Sequence, residues 1–279
     1  MSEINSFCIS LYDMGIPINM SELTFMFSFW IFSLFMTRIL NSKSEKFRNM
    51  TIRQKRNVIT YILQLIVTTV SLLMFTFLFP RIITITSINK SFTQQDTIVA
   101  SIGIGLILQL YIFELIYKIH TNWSLIIHHI LTITLTSIVC FMLWDTLNPA
   151  SVYPIILVYS AITEQPIFVS LLLYRFGYNS RNWFRISAIT GFIFKTYVFI
   201  GGLFVLKKAL IDEEFVNFRN DFPWKSSMKV VFPIGNVLLF SVQLYSIRIY
   251  LSIGEKSIEK KTPKLENKND ENILNLEVV

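Results

Sequence analysis

Charged residues are scarce in this sequence. Asp, Glu, Lys and Arg make up 15% of its 279 residues, whereas a soluble domain carries roughly 25%. Hydrophobic residues make up 53%, and the mean hydropathy is +0.54. This combination excludes an ordinary soluble domain and predicts an integral membrane protein.

Cysteine and histidine are equally rare. The two cysteines, Cys8 and Cys140, are too few for a disulfide framework, and Cys140 lies in an apolar run as a small packed side chain would. With three histidines and no CxxC or HExxH pattern, we expect no metal site and no resident cofactor. The N-terminus lacks a basic region before an apolar core, so we expect no cleavable signal peptide.

Long hydrophobic runs are what the sequence does contain. A helix needs about 20 apolar residues to cross hydrocarbon, and seven stretches meet that length. In lipid every backbone group must be paired within its own segment, so these runs become helices despite their many Ile and Phe residues. We predict seven spans: Glu22–Leu40, Val58–Phe79, Thr97–Tyr117, Trp123–Trp144, Ser151–Tyr174, Trp183–Leu206 and Val230–Leu251.

The positive charges predict an orientation. The net charge of +7 comes from basic clusters after the first and last predicted spans, and in a membrane protein such residues set topology rather than bind nucleic acid. We therefore expect a lumenal N-terminus, a cytosolic C-terminus and no nucleic-acid partner. Residues 1–44 would hold the first span, residues 45–252 a six-helix membrane domain, and residues 253–279 a disordered polar tail.

Two adjacent histidines, His128 and His129, lie in the first turns of the fourth predicted span. Ionisable groups inside a membrane are costly and are functional candidates by default. Because neighbouring residues on a helix point about 100° apart, one ring can face the interior while the other meets an adjacent helix or the interface. Acid/base chemistry or binding of a polar lipid group is the functional interpretation; a hydrogen-bonded interhelical pair is the structural one.

Glu114 lies near the end of the third predicted span, and a short connection joins that span to the fourth. The two helices should form a tight hairpin that brings Glu114 to the depth of the histidines. A pair with Lys118, one helical turn away, is the structural alternative.

Glu164 and Lys195 lie near the middle of the fifth and sixth predicted spans. Unpaired charges there would be expensive, so we predict that the two side chains face each other inside the bundle. The pair would either form the wall of a lipid cavity or fix helix register. Four neutral polar residues suit interhelical hydrogen bonds: Gln64, Gln109, Asn236 and Gln243.

The run LQLYIFELIYKIHTNWSLIIHHILT, residues 108–132, resembles the TLC domain (TRAM, LAG1 and CLN8 homology). A polar helix, a short turn and a helix that opens with His-His carry the resemblance. It extends from the basic stretch near Lys46 to the end of the last span at Leu251. It implies one helix followed by six that surround a lipid-accessible cavity, residence in the endoplasmic reticulum, and a role in lipid homeostasis.

In ceramide synthases of this family the paired histidines belong to the catalytic site, a role that would fall on His128 and His129. The sequence VYSAITE, residues 158–164, lacks the His and Asp that those enzymes carry there. Gln109 stands where many TLC proteins have an Asp, and we place it with Glu164 and Lys195 in the expected lipid cavity. The resemblance is therefore closer to the non-synthase branch.

Three functions fit these patterns. The first is a lipid-homeostasis protein that binds, moves or senses a membrane lipid, alone, as a homo-oligomer or with other membrane proteins. The second is an acyltransferase with acyl-CoA as co-substrate, His128 or His129 as base, and Glu114 or Glu164 assisting. The third is a seven-helix receptor, against which the last span lacks an NPxxY pattern.

Overall fold

The computed structural model of the protein describes residues 20–85, 94–118, 123–143, 164–211 and 225–259. All regular structure within these ranges is helical. The helices are α1 (Met20–Lys43), α2 (Glu45–Arg48), α3 (Ile52–Ile85), α4 (Gln94–Tyr117), α5 (Trp123–Leu143), α6 (Gln165–Arg175), α7 (Arg181–Ile211) and α8 (Lys225–Glu259).

Four segments are long and apolar enough to cross a membrane: Thr24–Lys43, Ile52–Met74, Arg181–Leu203 and Pro233–Glu255. Two shorter apolar segments, Ile102–Tyr117 and Trp123–Ser137, belong to α4 and α5. The prediction of an all-α membrane protein agrees with this structure. The count of seven spans stays a prediction, because part of the fifth predicted span, residues 151–163, lies outside the described residues.

Six helices pack in a closed ring. Following the contacts around it, α4 packs on α3, α3 on α6, α6 on α7, α7 on α8, α8 on α5, and α5 returns to α4. Helix α1 lies outside the ring against α4 and α3. Each ring helix therefore has one side that faces the ring centre.

One end of this ring, here called the basic end, is defined by two contacts between helix termini. The ammonium of Lys46 donates a 2.6 Å hydrogen bond to the carbonyl of Phe176, just after α6. The guanidinium of Arg56 donates to the carbonyl of Tyr117, the last residue of α4, at 3.0 Å. The described cations at helix ends that meet here include Lys43, Lys46, Arg48, Arg53, Lys55, Arg56, Lys118, Arg175, Arg181 and Arg185.

The outer surface suits hydrocarbon. On α1, four large apolar side chains, Phe27, Ile31, Leu34 and Phe35, are each more than 60% exposed. Such a surface would aggregate in water and is stable against lipid tails. A hydrophobic core between α1, α2, α3 and α4 includes Phe47, Val58, Ile59 and Phe113, all fully buried.

The last helix is longer than expected. The sequence predicts a polar tail from residue 253, but α8 continues to Glu259. Tertiary packing explains the added length, because Ile253 packs on a core cluster that contains Phe184, and Gly254 also lies directly against Phe184. The rest of the predicted tail, residues 260–279, lies outside the described residues.

Candidate functional site

The ring encloses a polar cavity at its centre, here called the ring cavity, of about 20 Å³. Every ring helix contributes to its lining, so only the closed ring assembles it. The lining residues are Tyr61 and Gln64 of α3, Glu114 of α4 with Lys118 just beyond its end, Leu125, His128 and His129 of α5, Glu164 beside α6, Phe168 and Leu171 of α6, Lys195 of α7, and Ser246 and Tyr250 of α8.

Glu114 is the most fully engaged charge in the cavity. Its side chain is 1% exposed and accepts hydrogen bonds from the Gln64 amide and from Lys118. It also accepts one from His129 Nε2 at 3.0 Å. A carboxylate that accepts several charge-assisted hydrogen bonds can remain ionised although it is buried. Both interpretations of Glu114 from sequence are thus realised together, the pair with Lys118 and the contact with a histidine.

His129 is held on two sides. Because a carboxylate only accepts, the bond to Glu114 places the ring proton on Nε2 of a neutral His129. The imidazole also stacks on the ring of Tyr111, with centroids 4.4 Å apart and an interplanar angle of 26°. These contacts fix both the ring plane and the tautomer, which suits a structural role.

His128 is buried but held far less tightly. Its Nε2 lies 3.9 Å from Glu164 Oε1, which is too long for a direct hydrogen bond. Its Nδ1 is buried and has no hydrogen-bond partner among the described residues. The two rings differ in their Nε2 contacts: His129 bonds to Glu114 of the neighbouring helix, whereas His128 makes no short hydrogen bond through its ring. The Nδ1 atom of His129, like that of His128, is buried without a partner among the described residues.

Glu164 and Lys195 face each other, as the sequence predicts. Lys195 Nζ lies 3.3 Å from Glu164 Oε1, and the side chain of Lys195 is only 4% exposed. Glu164 does not lie inside a described helix, since it is the residue immediately before α6. Pro166 follows in the first turn of α6, where a missing backbone N–H costs no hydrogen bond.

The polar groups run inward from the basic end. Glu114 lies three residues before the end of α4, which is about 4.5 Å along the helix axis. Glu164 precedes the 11 residues of α6, whose other end is the basic end, so it lies roughly 16 Å deep. The cavity side chains therefore connect the basic end of the ring with its middle.

Several cavity residues were missed or interpreted differently from sequence. The sequence predicts an interhelical hydrogen bond for Gln64 and no cavity role for Tyr61, Ser246 or Tyr250, yet all four line the cavity. A usable signal exists on α3, where Tyr61, Gln64 and Thr68 are three and four residues apart and hence share a helix face. Gln109, placed in the cavity from sequence, is buried on α4 but is not among the residues that line the cavity.

Among the described residues, no three His, Cys, Asp or Glu side chains are grouped so that they could hold a metal ion. What the arrangement offers is two imidazoles, paired carboxylate and ammonium groups, and two tyrosines around a water-sized space. Such groups bind polar atoms and transfer protons.

Comparison with known proteins adds no further assignment, because the chain has no significant match to a protein-family model, a curated protein or a solved structure.

Proposed function

We propose that the protein acts in membrane lipid homeostasis by admitting the polar group of a lipid into the ring cavity. The observation that carries this proposal is the convergence of Glu114, Glu164, Lys118, Lys195 and two histidines on one small space inside an apolar bundle. Such groups are expensive in a membrane interior and are retained where they bind or transport something.

The arrangement of the helices supports the same function. A ring of six helices with one helix outside it is the architecture implied by the resemblance to the TLC domain, in which the ring surrounds a lipid site. We extend that proposal to seven spans, residence in the endoplasmic reticulum, and a cytosolic basic end. A lipid would enter between helices, with its chains in the bilayer and its polar group among the cavity residues.

The contrast between the histidines gives the test. We expect His128→Ala to abolish function with a smaller loss of thermal stability than His129→Ala, because His128 makes no short hydrogen bond through its ring. We expect His129→Ala to destabilise the protein, because Glu114 loses one of three donors and Tyr111 loses its stacking partner. Losing a hydrogen bond to a charged group costs about 1.5–3 kcal/mol of the free energy of unfolding.

The measurement is whole-cell lipidomics in cells that carry only the variant gene, with thermal unfolding of each purified variant. Gln109→Ala is the matched control, since Gln109 is buried but outside the cavity lining. A wild-type lipid profile in cells with His128→Ala would rule out the proposed role of the cavity.

Acyl transfer is the second candidate function. The orientation of His128 toward Glu164 favours it, because a neutral imidazole near a carboxylate can act as a general base. In that reaction a lipid hydroxyl attacks the carbonyl of an acyl-CoA. A C–O bond forms, the C–S bond breaks, and the hydroxyl proton passes through His128 to the departing thiolate. Purified protein given radiolabelled acyl-CoA and a lipid alcohol would then release free CoA and form a labelled ester.

A further inference from the structure

The charges that line the ring cavity cancel. Two carboxylates, Glu114 and Glu164, face two ammonium groups, Lys118 and Lys195, so the lining has no net charge when both imidazoles are neutral. In a low-dielectric interior a ligand with a net charge would leave that charge uncompensated, which is strongly unfavourable. Electrostatics therefore favour an uncharged polar group.

The size of the cavity points to a small group. About 20 Å³ is enough for one water-sized group, since roughly 10–15 Å³ is needed for a water molecule. A hydroxyl has the same single heavy atom as water. A phosphate, with four oxygens around phosphorus, needs a larger space than a hydroxyl.

The hydrogen-bonding groups also match a hydroxyl. His128 Nε2 and Glu164 Oε1 lie 3.9 Å apart, a separation that one oxygen atom can bridge with a hydrogen bond of normal length to each. A hydroxyl carries one donor and two acceptor lone pairs. It can accept a hydrogen bond from the imidazole and donate to the carboxylate, or donate to the imidazole instead.

We propose that the ligand of the ring cavity is a neutral lipid alcohol, whose hydroxyl lies between His128 and Glu164. This inference rests on the proposed function and specifies the chemical class of its lipid. The charge balance of the lining disfavours ammonium and phosphate lipids, and a lipid without a free hydroxyl has no group that can both donate and accept between His128 and Glu164.

The test uses the full-length protein in nanodiscs and four photoactivatable probes with identical acyl chains. The probes are a diacylglycerol, its methyl ether, its phosphate ester, and the analogue with an ammonium in place of the hydroxyl. We expect the diacylglycerol to crosslink at least tenfold better than each other probe, which corresponds to about 1.4 kcal/mol. Equal or better labelling by the phosphate or ammonium probe would overturn the inference.

Variants that change the net charge of the cavity lining test the electrostatic argument directly. Glu164→Gln leaves the lining with one positive charge, so its preference should shift toward the phosphate probe. Lys195→Gln leaves one negative charge, and its preference should shift toward the ammonium probe. The double variant Glu164→Gln with Lys195→Gln is neutral again and should return to the diacylglycerol, which shows that a shift in a single variant does not come from misfolding.

The outcomes separate the two proposals. If no probe labels the wild-type cavity, the proposed lipid-binding function itself fails. If the wild type binds lipids but the single variants do not change their preference, lipid binding stands and only the assignment to an uncharged alcohol fails.

Discussion

Glu114 and Glu164 have different surroundings although both line the ring cavity. Glu114 is 1% exposed and accepts from three donors. Glu164 has a side chain 17% exposed, and its carboxylate oxygen lies 3.3 Å from Lys195 and 3.9 Å from His128. Glu114 therefore stabilises the helix packing, whereas Glu164 is available to a ligand.

This contrast predicts different effects of the same substitution. Glu114→Gln leaves Lys118 as a buried charge without its partner, and breaking a buried ion pair costs about 3–5 kcal/mol of the free energy of unfolding. Glu164→Gln should cost distinctly less, because its contacts are longer and its side chain is partly exposed. Thermal unfolding of the two purified variants in the same detergent checks the order. Equal losses of Tm would show that the two carboxylates are structurally equivalent.

The two contacts between individual side chains that the sequence predicts have a common physical basis. The pairing of Glu164 with Lys195 and the approach of Glu114 to His129 follow from the cost of isolated polar groups in lipid. The approach of Gln64 to Glu114 does not follow, because 50 residues separate them and a glutamine is satisfied by many partners. The cavity role of Tyr61 and Tyr250 is hidden for a similar reason, since a tyrosine also suits a core or a membrane interface.

At the scale of the helices, close packing depends on two glycines of α8. A Cβ atom at Gly254 would lie 2.9 Å from Cβ of Phe184, at the start of α7, where the side chain has no freedom to move away. A Cβ atom at Gly235 would lie 2.9 Å from a terminal methyl of Leu135 on α5, which can rotate. The same added atom thus meets a rigid neighbour at one site and a flexible one at the other.

We therefore expect Gly254→Ala to destabilise the protein more than Gly235→Ala. Alanine in a helix gains up to about 1 kcal/mol over glycine, which offsets the small adjustment of Leu135 and leaves Gly235→Ala near neutral. At Gly254 the overpacking costs roughly 1–3 kcal/mol. Thermal unfolding of both variants is the measurement, and a larger loss of stability for Gly235→Ala would contradict the packing described for α7 and α8.

Helix existence was easier to predict than helix length. Apolar runs indicate each described membrane helix, because the bilayer requires about 20 apolar residues. The ends are different, since α3 begins at Ile52 and runs to Ile85 whereas hydropathy predicts Val58–Phe79. Polar residues beyond the hydrocarbon can either continue a helix or end it. Packing partners such as Phe184 decide which of these occurs.

For the whole molecule, the arrangement of the ring is the part that sequence patterns do not reveal. Hairpin neighbours such as α4 and α5 are expected to pack together. The closing contact between α5 and α8 joins helices that are distant in the chain, and no local pattern specifies it. The resemblance to the TLC domain implies a six-helix ring, and the sequence places Glu164 and Lys195 in its cavity, but the full set of lining residues comes only from the structure.

The orientation of the whole molecule gives a further prediction. The exposed residues Ser42 and Ser252 lie near the basic end, which we expect to face the cytosol. In a background without Cys8 and Cys140, Ser42→Cys and Ser252→Cys should both react with a membrane-impermeant maleimide added to intact microsomes. Labelling that appears only after the membranes are permeabilised would reverse the topology.

The separation of Glu164 and Lys195 on different helices has a consequence for biosynthesis. The ribosome adds Glu164 about 31 residues before Lys195, so the carboxylate reaches the translocon without its partner. A lone acidic residue at the centre of a span costs about 2.5–3.5 kcal/mol for entry into lipid. The predicted span Ser151–Tyr174, which contains Glu164, should therefore remain beside the translocon until α7 arrives, and the two should leave it together as a charge-compensated pair.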